Sequence, residues 1–201
     1  MSYLNEMKEM LHPSSAEGYL SGKLEDYSDA GTLKNIVIAG LILLFANAIS
    51  IFLMDAQTEA ALVSSDSFAD IITQFIDYGL FFYVSAYVLY LVARLLKGKG
   101  TFKEQIYLQS VVAVAMSIVQ AILIMLSSIS VSGDFSLMIL LSIPLLISGL
   151  YSVYLDYKIV RVVHKFDQKN AFFSIIGFWL TIFAVYFIIY AAIYLLTGQL
   201  A

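Results

Sequence analysis

Apolar residues in this chain gather into long runs broken by short polar stretches. Ile36 to Met54 carries no charged residue. Crossing a hydrocarbon core of ~30 Å takes about twenty apolar residues, so this run predicts a membrane-spanning helix over 36–54. Later runs predict spans over 78–96, 106–129, 135–155 and 171–196, five in all. Span four holds Pro144 and Gly149, tolerable in a membrane helix where neighbouring helices satisfy the freed backbone. Before span two, Phe68, Ile71, Ile72, Phe75 and Ile76 fall at helical spacing and predict an amphipathic lead-in that ends at Asp77. The first 34 residues are different in kind. Leu4, Met7, Met10 and Leu11 predict a short helix that Pro13 ends. Ser14 to Glu17 reads as a capping box opening a second helix over about 15–27, with Tyr19, Leu20, Leu24 and Tyr27 as its apolar positions. The chain thus divides into a cytoplasmic arm with short amphipathic helices, 1–34, and a five-helix transmembrane domain, 35–201. The arm either covers the bundle and membrane surface or serves as a docking element.

Charge orients the spans. Lys8, Lys23 and Lys34 precede span one; Arg94, Lys97, Lys99 and Lys103 join spans two and three; Lys158, Arg161, Lys165 and Lys169 join spans four and five. All eleven cations therefore fall on one face, whereas the 55–70 loop holds only Asp55, Glu59, Asp66 and Asp70. Cations beside a span are retained in the cytoplasm, which predicts an all-α polytopic membrane protein with its N-terminus cytoplasmic and its C-terminus outside. Composition agrees: 61% hydrophobic and 13% charged residues leave too little polar surface for a water-soluble domain. The net charge of −4 and the scattered acidic residues leave no nucleic-acid footprint. No segment before Gly31 has the apolar core of a signal peptide, so span one is expected to act as the insertion signal.

The candidate chemistry is sparse. Without cysteine there is no disulfide, thiolate site or cysteine nucleophile, and two histidines, His12 and His164, build no metal cluster. No Gly-x-Ser-x-Gly element or phosphate-cradling loop occurs, so no catalytic, cofactor or metal residue is assigned. The basic face supplies candidate lipid or partner contacts: Arg94, Lys97, Lys99, Lys103, Arg161, His164 and Lys165. Asn47, Asp77 and Gln120 are candidate intramembrane polar residues, and Asp77 is the one carboxylate expected to reach the membrane, either inside it or at the headgroups. A membrane-organising or binding role through the basic face is expected. The alternative is a small transporter or ion pathway using Asp77 with Asn47 or Gln120. Tyr90-x3-Arg94-x2-Lys97 and Tyr157-x3-Arg161-x2-His164 also match each other. Either the two hairpins are a parallel repeat, with span one peripheral, or Tyr and Arg serve twice as interface anchors.

Five spans behind a polar arm with His12-Pro13, the Gly98 to Lys103 turn Gly-Lys-Gly-Thr-Phe-Lys, and the run Tyr154 to Ala171 containing Val163-His164 resemble the Yip family of Ypt/Rab-interacting membrane proteins. The resemblance implies a non-enzymatic, cofactor-free integral membrane protein that acts on lipids or on a cytoplasmic protein partner, with homo-oligomers compatible. Eukaryotic members carry an Asp-Leu-Tyr-Gly-Pro motif in the arm, linked to small-GTPase binding. This arm lacks it, so the resemblance implies a prokaryotic-type member in the cell membrane.

Overall fold

A computed structural model describes residues 3–58, 65–129 and 135–197. These form seven helices: α1 (Tyr3–Leu11), α2 (Ala16–Glu25), α3 (Asp29–Thr58), α4 (Ser65–Leu95), α5 (Phe102–Ile129), α6 (Phe135–His164) and α7 (Gln168–Thr197). There is no strand among the described residues. Five of the helices, α3 to α7, are long and apolar enough to cross a membrane. The centres of the loops read as uncharged or acidic, 59–64 and 130–134, lie outside the described residues.

The helices outrun the apolar runs that predicted them. α3 begins at Asp29, ahead of the first uncharged stretch. The lead-in before span two and the span itself are one helix, α4, which passes Asp77 without a break. A helix satisfies its own backbone, so one exposed carboxylate does not end it. α5 is the most buried of the five long helices. It packs most extensively along α3 and also meets α4 and α6, while α7 rests on α4 and α6. Span one is therefore not peripheral. Small residues bring α3 close to its neighbours, with Ala39, Gly40 and Ala46 all buried, and Asn35 Nδ2 donates to Ser110 Oγ of α5 at 3.3 Å.

The arm belongs to the core. Met10, Ala16 and Leu20 are buried in one cluster with Tyr107, Leu108 and Val112 of α5 and Leu155, Ile159 and Val163 of α6. Pro13 follows the end of α1, as its missing N–H requires. The capping box at Ser14 to Glu17 does not form: Ser14 Oγ pairs with His12 Nδ1 at 2.9 Å, Glu17 turns to Lys158 and Arg161, and Ser15 Oγ donates back to Glu9 O at 2.7 Å and His12 O at 3.3 Å, serving the end of α1 instead of the start of α2. Two tyrosines of α6 take up further carbonyls at and just past that end. Tyr151 donates to Leu11 O at 2.5 Å and Tyr154 to Pro13 O at 3.1 Å.

Candidate functional site

Two basic turns meet at the end of the bundle where the arm docks. α4 closes on a left-handed residue, Lys97 with φ 67°, and the Gly98 N–H returns to Ala93 O at 2.9 Å. α6 closes in the same way, with Lys165 at φ 55° and the Phe166 N–H returning to Arg161 O at 3.2 Å. Both caps satisfy carbonyls that a helix end leaves open. The next helices are capped by side chains. Thr101 and Glu104 form a reciprocal box, with Thr101 N–H to the Glu104 carboxylate at 2.7 Å and Glu104 N–H to Thr101 Oγ1 at 3.3 Å, and Asp167 Oδ1 accepts the Asn170 N–H at 2.9 Å. Glycine lets the turns touch. A Cβ on Gly98 would lie 2.5 Å from His164 Nδ1, and one on Gly100 would lie 2.4 Å from Val163 O. The Lys99 N–H donates to His164 O at 3.4 Å across the junction.

His164 lies under that junction, 1% exposed, between the rings of Tyr90 and Phe166. Its Nε2 is 2.8 Å from Gln105 Oε1, and Gln105 Nε2 donates to Ala86 O at 3.0 Å. The amide oxygen can only accept, so Nε2 carries the imidazole proton, and Nδ1 is a buried lone pair with no hydrogen-bond partner. From Gln105 the chain runs to Gln109 Oε1 at 3.5 Å, and Gln109 Nε2 donates to Asp156 Oδ1 at 3.1 Å. Apart from the Gln105 bond to Ala86, the donors point toward the carboxylate, linking the turn at His164 to α5 and back to α6 about two turns before its end. Asp156 lies within the apolar stretch Ser142–His164, so Asp77 is not the sole carboxylate in such a stretch.

The Yip1 domain family model matches residues 21–190, most of the chain. The chain belongs to the Yip1 family. No curated protein and no solved structure matches it at a significant level.

In this Yip1 family member the basic residues singled out from sequence fall into four settings. Lys97, Lys99 and Lys165 are exposed and form no ion pair among the described residues, while Arg94 donates through Nη1 to Gly98 O at 2.9 Å and so holds its own turn. Lys103 pairs with Asp29 at 2.9 Å in the open, and Arg161 pairs with Glu17 of the arm at 2.9 Å, beside Lys158, which reaches the same carboxylate oxygen at 3.1 Å. The His164 side chain is inside, and reaching the surface would require it to leave Gln105. Of the polar trio, Asn47 and Asp77 line one cavity between α3 and α4, and Gln120 of α5 does not line it. Gln105 and Asp156 have no role assigned from the sequence, and Glu17 only that of a cap. Gln105 and Gln109 stand one helical turn apart at the polar start of a span, a spacing that signals one shared face. Glu17 carries no such signal.

Proposed function

We propose that this Yip1 family protein is a non-enzymatic membrane-organising protein whose joined basic turns, lying at the cytoplasmic surface, bind anionic phospholipid headgroups. The observation that carries the reading is the junction itself. The Lys99 to His164 backbone bond and the two glycines merge turns that are about seventy residues apart in sequence into one patch, bearing Lys97, Lys99 and Lys165 exposed and unpaired among the described residues. Each lysine near an anionic surface contributes about 1 kcal/mol, and a patch that is already ordered spends little entropy on binding. The test is phosphatidylglycerol retained by the detergent-purified protein, measured by native mass spectrometry. Changing Lys97, Lys99 and Lys165 singly to Glu is expected to lower retention by at least fivefold each, the equivalent of ~1 kcal/mol. Unaltered retention in all three variants overturns the reading, as does loss of retention that 0.5 M salt does not reproduce.

A further inference from the structure

Midway along α3 and α4, well away from the basic turns, a cavity of about 450 Å³ opens between the two helices. About 26 Å of helix, at ~1.5 Å per residue, separates Asp77 from Arg94, so the cavity lies near the opposite boundary of a hydrocarbon core ~30 Å thick. Its lining combines two kinds of chemistry. Asp77 and Asn47 bring oxygen acceptors, and Phe75, Tyr78 and Phe81 bring aromatic rings. Gly40 shapes one wall, since a Cβ there would sit 2.7 Å from the Phe75 ring. Asp77 is exposed, and so is Phe81 at 66%, so the cavity opens sideways toward lipid. No ion pair reaches Asp77 from the described residues.

A lone carboxylate among rings at this depth calls for a cation. A hard metal ion takes six or more oxygens, and no group of three metal-ligating side chains occurs among the described residues. Aromatic faces suit an organic ammonium. Asn47 refines the choice, because an amide oxygen beside a carboxylate rewards an ammonium with N–H donors and gains nothing from a quaternary one. We infer that the α3–α4 cavity is a headgroup site for an amine-bearing phospholipid of the phosphatidylethanolamine class, its ammonium held by Asp77 and Asn47 among the rings of Phe75, Tyr78 and Phe81. Leu43 and Leu44, also in the lining, extend the site toward the acyl chains.

The site is independent of the basic patch and takes lipid of different charge, so the two readings fail separately. The test uses the full-length protein in detergent micelles doped with equal phosphatidylethanolamine and phosphatidylcholine, with bound lipid counted by native mass spectrometry. The wild type is expected to retain the ethanolamine lipid about tenfold over the choline lipid. Asp77→Asn should abolish that preference with an unchanged melting temperature, Asn47→Leu should reduce it, and Asp77→Glu should keep most of it. Equal retention of the two lipids by the wild type, or an undiminished preference in Asp77→Asn, overturns the inference. Displacement of the lipid by free ethanolamine at equimolar concentration also overturns it, by assigning the cavity to a soluble amine.

Discussion

The two basic turns look alike in sequence and behave differently in three dimensions. Each follows Tyr-x3-Arg and ends a long helix in a left-handed lysine, yet Arg94 folds back onto Gly98 of its own turn, whereas Arg161 reaches away to Glu17 of the arm. The bases that the pattern aligns also part company. Lys97 is exposed and His164 is buried. The register explains why: the sequence match pairs Lys97 with His164, but the helix caps pair Lys97 with Lys165, one residue on. A shift of one residue turns a helical position by about 100° and carries it from surface to interior. The first turn therefore presents charge and supplies the glycines, and the second supplies the histidine and the anchor for the arm.

Breaking the junction should have the largest effect. Gly100→Ala places a Cβ against the Val163 backbone, which cannot swing aside as a side chain could, and should destabilise the fold by about 3 kcal/mol, seen as a marked drop in melting temperature in detergent. The same change at Gly22, where nothing lies within 4 Å, should not lower it. If Gly100→Ala melts like the wild type, the turns are not pressed together. Next come the two arginines. Arg161→Gln should weaken the hold on Glu17, costing about 1 kcal/mol and speeding proteolysis of the arm, whereas Arg94→Gln should leave arm cleavage unchanged. Equal cleavage rates in the two variants would dissolve the distinction between the turns. The smallest effect belongs to Lys103→Ala. Its pair with Asp29 is about two-thirds exposed on both sides, so the melting temperature should hold at any salt concentration.

Much of the fold was legible because a bilayer imposes a coarse and demanding code: runs of about twenty apolar residues and cations kept together. Ile36 to Met54 could hardly be read otherwise. The short helices of the arm could be read as well, since Pro13 is a strong breaker. Ser14 makes no cap because a hydroxyl near a helix start has partners on both sides, and here the His12 ring takes it. Glu17 leaves the cap for a different reason, its carboxylate being worth more opposite Lys158 and Arg161 than on an exposed cap. The His164 to Asp156 chain lay beyond reach altogether. Its members come from two helices, and nothing in a one-dimensional pattern says that Gln105 stands beside His164 and not beside lipid.

The sequence by itself determined that this protein has five helices long and apolar enough to cross a membrane and that its cations share one end, since the first follows from the energy of putting each residue type into hydrocarbon and the second from the retention of cations on one side, both properties of residues taken singly. Only the tertiary structure decided that the arm is part of the core, that the two turns form one surface, and that Asn47 and Asp77 share a cavity. Those depend on which helix faces which, and among helices in lipid that choice rests on close packing and a few directed hydrogen bonds, which no single run of residues encodes.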